Sequence, residues 1–566
     1  RNIAGWARVR VRGPEGARVL VEYCELPSDR ELVPDIHPSK LKIRVEDTDY
    51  ASFYDKSINI RQQNGYILKG KGTETFECRF AYMGFQFVRV TADPGVTVER
   101  VEAVPVHTDV AEAGRFVCSN DVVNRLQDMS RASLLNNFHS IPTDCPHREK
   151  QGWTADTYMT DQAAIYNFDM AAFYAKWVED LAGTQDSAGG LCTVAPSTGY
   201  DQSISTVWPA AIVYVPWDLL AYYGDRRVVE RHYETMMRFA ESGLLRQRDG
   251  KPEIIGEVLG DWVSPHMTLS DTLMSYSMAP PEGLTLYGTA SHYRVVRNLA
   301  EVARFLGKRD DAVRLDAWAD RIARRFNEEF FDAASGIYHG ENPTPYRQAA
   351  NVVPLEYGLV PEADSARVLG SLLCDLDGTR DRIGTGFVGT LSMMELMPRI
   401  DPERAYRLAT QPDYPGWGFM ALSGATTMWE TWDGSASRNH PPFCLISAYF
   451  YKYLAGIRCD RAYPGFERFT VDPSVVGDLT FVEAWHDSPY GRIRSEWRRD
   501  GSRLTMKVSV PVGTTATIGV PTRDAAGVAE SGRPVSGTDG VKFLRAAGGK
   551  AFYEVGSGSY VFTSRL

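Results

Sequence analysis

No Cys-x-x-Cys pair, no Cys/His cluster and no block of Lys and Arg occurs in this chain of 566 residues. The first two absences argue against a zinc site and a disulfide frame. The eight scattered cysteines (Cys24, Cys78, Cys118, Cys145, Cys192, Cys374, Cys444 and Cys459) read as mostly free thiols. The missing basic block, with a net charge of −10, argues against a nucleic-acid partner, and none is expected. The longest apolar stretch, Ala210 to Tyr223, is interrupted by Asp218 and is too short to span a bilayer. No acid-rich segment has the Gly-centred Asp/Asn spacing of a calcium loop, so no metal and no cofactor is expected. No short-period repeat or low-complexity segment stands out. A signal peptide is also lacking: Arg1-Asn2-Ile3-Ala4-Gly5-Trp6 runs straight into a strand pattern. That abrupt start points to a processed or truncated N terminus, so a soluble protein is expected in either the cytoplasm or an exported location.

What is present is a large, aromatic-rich chain organised as strands, then helices, then strands. Val9 and Val11 alternate with Arg8, Arg10 and Arg12, the period of a half-buried strand. Val19 to Tyr23 and Phe85 to Val90 continue the pattern, so residues 1–107 read as a β-sandwich, truncated at its N-terminal side. From the capping cluster Ser119-Asn120-Asp121 the period changes to that of helices. Val122, Leu126 and Met129 mark one helix. Val295, Leu299, Val302 and Leu306 mark another, stopped by Gly307, and Leu315, Trp318, Ile322 and Phe326 a third. Roughly twelve such segments suit a toroid of inner and outer helices, an all-α (α/α)6 barrel over residues 108–456. After Gly456, Leu504, Met506, Val508 and Val510 alternate behind the turn Asp500-Gly501, so 457–566 reads as a second β-sandwich. Separate blocks of this kind mean separate domains, not an α/β fold.

The stretch Asp144-Cys145-Pro146-His147-Arg148-Glu149-Lys150-Gln151-Gly152-Trp153-Thr154-Ala155-Asp156 is the densest in chemistry. If a helix starts at Pro146, then Glu149, Trp153 and Asp156 share one face, and Asp144 folds back toward it. Carboxylates beside an aromatic ring suit a sugar-cleaving pocket, because acids move protons and grip hydroxyls while a flat ring stacks on the sugar. A solvated, salt-bridged helix start is the ordinary reading, so the segment needs a partner. Far downstream, Trp429-Glu430-Thr431-Trp432-Asp433-Gly434 sets Glu430 between two tryptophans, and Asn439-His440 follows.

Together the two segments resemble glycoside hydrolase family 78, the bacterial α-L-rhamnosidases. That family carries D-C-P-x-R-E-K-x-G-W-x-x-D and, later, T-T-x-W-E-x-W-D followed by N-H. The resemblance covers essentially the whole chain. It implies an inverting exo-α-L-rhamnosidase that releases terminal rhamnosyl residues from glycosides or polysaccharides. Glu149 would be its general acid and Glu430 its general base. It implies sugar contacts from Asp144, Arg148, Trp153, Asp156, Asp261, Trp262, Trp429, Trp432 and His440. Trp208 and Trp417 are weaker candidates, and His147 is expected in solvent. Asp144 and Asp156 should hold Glu149 protonated, whereas Arg148 would oppose this if its head turned inward. The chain departs from the commoner D-C-P-Q-R-D-E-R-L-G-W-T-G-D by its shorter spacing and by Gln151 where Leu is usual. Pro209 and Ala210 replace the W-G-D continuation after Trp208. Two other readings stay open: a lyase acting on rhamnosyl-uronate linkages, with Arg148 as the motif cation, and a non-catalytic carbohydrate-binding relative. A monomer or homodimer is expected.

Overall fold

The structure, a computed structural model, describes residues 1–25, 62–199, 205–248, 250–266 and 279–566. Part of the span expected for the first sandwich, 26–61, lies outside these residues. Strand β1 (Ile3–Arg12) buries Ala7, Val9 and Val11 and leaves Arg10 and Arg12 exposed, as a pleated strand with one wet face must. It pairs antiparallel with Thr73–Phe76, Met83–Phe85 and Thr97–Pro105. A second sheet forms where Arg18–Cys24 pairs with Gln63–Ile67 and Phe87–Ala92. Val19, Val21 and Tyr23 from this sheet close over the first in a small core of their own.

Helices fill the middle of the chain in two kinds that alternate along the sequence. Thr154–Asn167, Ala211–Tyr223, Thr285–Phe305, Gln348–Tyr357, Phe387–Ile400 and Leu445–Tyr449 are buried along most of their length. In the first of them only Gln162 escapes burial. Asp121–Asn136, Ala171–Ala182, Arg226–Ser242, Arg309–Phe330, Glu362–Gly378 and Pro402–Thr410 are amphipathic. Arg309–Phe330, for example, buries Leu315, Trp318, Ile322 and Phe326 along one stripe. Each buried helix packs on the next in chain order and the last packs on the first, so they close an inner ring with the amphipathic set outside. A short helix, Trp417–Leu422, is the thirteenth among the described residues. This is the expected (α/α)6 barrel, flanked by β-rich regions at both ends of the chain.

The connections differ at the two mouths of the barrel. Inner helices pass to outer ones through short turns, two of them capped by Gly224 and Gly358 at left-handed φ of 70° and 73°. Outer helices return to inner ones through long segments such as 137–153, 183–210 and 331–347. The N-terminal ends of the inner helices therefore face a mouth built from long loops, the usual home of functional side chains. No described helix is long and apolar enough to cross a membrane.

After the barrel, Gly491–Asp500 and Arg503–Val510 form the expected hairpin, with Leu504, Met506, Val508 and Val510 buried. They belong to a seven-stranded sheet that faces a five-stranded one. The edge of the larger sheet comes from elsewhere: Gly114–Cys118, just ahead of the first helix, pairs with Phe481–Ser488.

Candidate active site

Pro146 does not open the helix expected there. Residues 146–149 form a turn, Lys150 takes a left-handed φ of 56°, and the helix begins only at Thr154. Long-range pairing decides this. The Ala195 N–H donates to the Gly152 carbonyl at 2.9 Å and the Thr154 N–H to the Thr193 carbonyl at 2.9 Å, holding 152–154 extended. Within the turn, Asp144 Oδ1 accepts the Gln151 N–H at 2.9 Å, and the Asp144 N–H donates to the Gln151 carbonyl at the same distance. The ring so closed swings Glu149 back to Trp153, whose indole N–H donates to Glu149 Oε2 at 2.8 Å. The neighbours expected from a helix thus meet through a turn. His147, expected in solvent, is instead buried at 3% exposure with Nδ1 3.8 Å from Glu25 of the first sandwich.

Glu430 sits on the long loop that precedes the last inner helix. Its N–H donates to the Ser437 carbonyl at 2.8 Å, and Ser437 N–H donates back to Glu430 Oε2 at 3.1 Å. Two residues further out, the His440 N–H donates to the Met428 carbonyl at 2.9 Å. This ladder fixes Glu430 and His440 on one loop. Arg148 joins the two segments: its Nη2 lies 2.9 Å from Glu430 Oε2 and 3.1 Å from Glu149 Oε1. The arginine head, whose direction the sequence left open, therefore turns inward.

A pocket forms here at the loop-rich mouth, lined by Asp144, Glu149, Trp153, Asp156, Trp208, Leu259, Trp262, Phe387, Glu430 and His440. Asp156 belongs to the first turn of its inner helix, Phe387 starts another, and Trp208 precedes a third, so helix N-termini encircle the pocket. Their dipoles favour negative charge near them. Glu149 keeps about a quarter of its side chain in solvent, whereas Glu430 is almost fully buried. Trp208 drew only weak notice in the sequence, and nothing there pointed to Leu259 or Phe387, since loops share no common spacing.

Four expected sugar contacts lie outside the lining: Arg148, the shared partner of Glu149 and Glu430, and Asp261, Trp432 and Trp429. Asp261 is fully buried, and its two oxygens accept the Gly386 N–H at 2.7 Å and the Gly389 N–H at 2.8 Å. It caps the helix Phe387–Ile400. Trp432 is buried against Phe443 and Trp417, with its indole N–H on the Thr385 carbonyl at 2.9 Å. Trp429 lies under the Arg438 guanidinium, 5.0 Å from its ring centre. Trp417 is likewise fully buried.

Burial and crowding of charge shift the site's titrations. Asp144 is pushed up to about 8, first by burial and then by repulsion from Glu149. Burial also raises Asp156. For His440 burial works downward, but Glu430, Asp156 and Asp144 outweigh it and lift the imidazole to about 9. His440 Nε2 is 3.0 Å from Asp156 Oδ1, and its Nδ1 is 4.0 Å from Glu430 Oε2. At neutral pH an imidazolium thus stands between two acids. Asp144, Cys145 and His440 bring ligand-type atoms within 4.8 Å of one another. However, both Asp144 oxygens already accept hydrogen bonds, from Gln151 N–H and from Cys145 Sγ at 2.9 Å. Burial and the Asp144 charge hold the Cys145 thiol far above its usual range, which suits a hydrogen bond better than a metal bond.

A roomier cavity lies further along the helix Thr154–Asn167, among Asp161, Asp218, Arg294, Glu395 and Lys452. Its charges pair internally, Lys452 with Glu395 and Arg461 with Asp218. The smaller pocket gathers both sequence segments and keeps a part-exposed carboxylate, which makes it the candidate site.

Comparison with known proteins follows the same geography. Residues 111–454 match the family model for the bacterial alpha-L-rhamnosidase 6 hairpin glycosidase domain. Residues 1–107 match the concanavalin-like domain of bacterial alpha-L-rhamnosidases, and 456–533 their C-terminal domain. An alpha-L-rhamnosidase of Streptomyces avermitilis is 30% identical over 99% of this chain and 51% of its own length. One from Formosa agariphila is 28% identical over 91% of this chain and 54% of its own. The chain thus spans about half the length of these curated relatives. Among solved structures, alpha-L-rhamnosidase from Dictyoglumus thermophilum superposes with a TM-score of 0.86 at 30% identity, covering 100% of this chain and 61% of that one. The Streptomyces avermitilis alpha-L-rhamnosidase complexed with L-rhamnose superposes with a TM-score of 0.84 at 27% identity, covering 99% and 51%.

Proposed function

The chain belongs to the bacterial α-L-rhamnosidase family, and from that premise we propose that it hydrolyses terminal α-L-rhamnosyl residues of glycosides or polysaccharides with inversion of configuration. One observation carries the reading: Arg148 bridges Glu149 and Glu430, two acids that line an aromatic-walled pocket. Glu149, the more exposed of the two, is the general acid that protonates the leaving oxygen. Glu430, seated deeper and faced by Arg148 and the His440 imidazolium, is the general base that takes a proton from the attacking water. Trp153, Trp208, Trp262 and Phe387 supply apolar walls for the sugar's carbon face. Asp144, Asp156, Arg148 and His440 supply hydrogen bonds to its hydroxyls.

One guanidinium nitrogen reaches both glutamates, so their facing oxygens lie no more than about 6 Å apart, short of the roughly 6.5–9.5 Å of an inverting pair. Sugar and water entering between them would take over these hydrogen bonds and widen the gap. The uronate lyase reading needs a cation to hold the uronate, and Arg148 is already engaged by two carboxylates.

The test is hydrolysis of an aryl α-L-rhamnopyranoside by wild type, Glu149→Gln and Glu430→Gln, with the anomeric product followed by NMR. The expected result is β-L-rhamnose as first product and a fall in kcat of about 10²–10⁴-fold in each variant. First release of the α-anomer would replace inversion by retention. Wild-type failure on this substrate, with unsaturated product from a rhamnosyl-uronate oligosaccharide, would replace hydrolysis by elimination.

A further inference from the structure

The N-terminal sandwich does more than abut the barrel. Its Glu25, at the end of strand Arg18–Cys24, is buried at 1% exposure and points out of its own domain. Oε2 accepts the backbone N–H of Arg438 at 2.7 Å. Oε1 accepts the Asn2 side-chain amide at 2.7 Å and stands 3.8 Å from His147 Nδ1. One carboxylate therefore touches both segments that carry the two glutamates. Arg438 directly follows Ser437, the hydrogen-bond partner of Glu430, and comes two residues before His440. His147 directly precedes Arg148 and Glu149.

Other sandwich contacts converge on the same two segments. Asn2 N–H donates to Thr426 Oγ1 at 2.9 Å. Lys150 Nζ donates to the Tyr82 carbonyl at 2.6 Å and lies over the Tyr82 ring. Gly84 presses so closely on the 146–147 turn that an added Cβ would stand 2.7 Å from the His147 Cβ. A buried carboxylate spanning two domains is costly unless its hydrogen bonds hold, so the contact is stiff while both partners are in place.

We infer that Glu25 is a positioning residue for the catalytic pair: from outside the barrel it clamps the Glu430 loop against the Glu149 turn and sets their mutual approach. The inference rests on the reading that these two glutamates do the chemistry. Misplacement of a reacting group by about 1 Å costs on the order of 10²-fold in rate. A clamp of this kind should therefore appear in kcat before it appears in binding.

The experiment compares the full chain with Glu25→Ala, Glu25→Gln and, as a control, Val21→Ala, which alters the sandwich core away from the loops. Turnover of the aryl rhamnoside is read together with amide hydrogen exchange over 144–153 and 427–440. Glu25→Ala should lower kcat by about 10–100-fold with KM changed far less, and should speed exchange at both segments. Glu25→Gln keeps one acceptor for the Arg438 N–H and should recover much of the rate. Val21→Ala should lower the melting temperature and leave kcat unchanged. Wild-type kcat in Glu25→Ala, or unchanged exchange at both segments, would overturn the inference. If Glu25→Ala does not fold, Glu25→Gln decides: an intermediate kcat with faster loop exchange supports the clamp, and wild-type values of both sink it. Should the wild type fail to turn over the rhamnoside, the functional reading falls, while the exchange data still decide whether Glu25 clamps the loops.

Discussion

His440 is held as an imidazolium by Glu430, Asp156 and Asp144, and this couples stability to pH. Its folded pKa of about 9 lies above the ordinary 6.5, so between those values the folded state binds a proton that the unfolded state has released. The stability this supplies is complete below about 6.5 and is lost as pH rises through about 9. The melting-temperature gap between wild type and His440→Asn should therefore narrow steadily over that interval. A gap that stays constant from pH 6 to 9 would mean the imidazole is not held charged. Asp144, raised to about 8, acts in the same sense: its folded state favours the protonated acid, and that contribution disappears as pH passes about 8. Asp261 tests a different matter, the difference between a residue that binds sugar and one that builds the wall. With both oxygens on the backbone of 386–389, Asp261→Ala should cost about 1–3 kcal/mol of stability, as lost caps and buried hydrogen bonds do. A chemical denaturation curve measures this, and KM should move only as far as Phe387 shifts. A large rise in KM at unchanged stability would make it a ligand after all.

Among the elements, the segment 144–156 is where local pattern and fold disagree most. Pro146 is placed as in a helix start, yet pairing with 193–195 holds Gly152 to Thr154 extended, and no local spacing encodes a partner that far away. Gly152 matters for that pairing: a Cβ there would stand 2.1 Å from the Ala195 carbonyl oxygen. Gly152→Ala must push the two segments apart and carry Trp153 away from Glu149. The expected outcome is a lower melting temperature together with a loss of activity larger than the loss of fold. Intrinsic Trp fluorescence would report the displaced indole, and an unchanged spectrum with full activity would refute the account. Outer helices were legible for the opposite reason. Arg309–Phe330 lies between solvent and core, so Leu315, Trp318, Ile322 and Phe326 mark it plainly. An inner helix such as Thr154–Asn167 is buried on every side, polar residues included, and offers no stripe. The acids of the site were legible because motif residues travel together along the chain. Its walls were not, since Trp208, Leu259 and Phe387 come from separate loops and meet only when the ring closes. Trp429 and Trp432 lie outside the pocket lining, and the sequence could not show this, because tryptophans beside a buried Glu look alike whether they face a sugar or the core.

For the whole molecule, the number of cooperative units follows from how the apolar cores connect. Ala7, Val9, Val11, Val19, Val21, Tyr23, Leu68, Met83 and Phe85 form a core separate from the barrel's. The barrel and the C-terminal sheets, by contrast, share one continuous core. Phe116, on the strand leading into the barrel, stacks on Phe450 at 5.3 Å while its own strand pairs with Phe481–Ser488. Tyr166 of an inner helix donates to the Ile457 carbonyl at 2.7 Å, and Trp497 of the C-terminal sheet donates to the Leu454 carbonyl at 2.9 Å. Elements interlocked in this way cannot unfold one without the other, because separating them would leave buried donors and large aromatic faces unpartnered. Calorimetry should therefore show two transitions: a small one for the N-terminal sandwich and a large one for the barrel with the C-terminal sheets. Phe562→Ala, a truncation in the C-terminal part of the shared core, should lower the large transition by the equivalent of about 3–5 kcal/mol. Helical ellipticity at the barrel should be lost at that same lowered temperature, although the substitution lies outside every helix. Val21→Ala should move only the small transition. If Phe562→Ala instead split off a third transition while helicity persisted to the wild-type temperature, the barrel would be an independent unit, and strand Gly114–Cys118 a dispensable attachment.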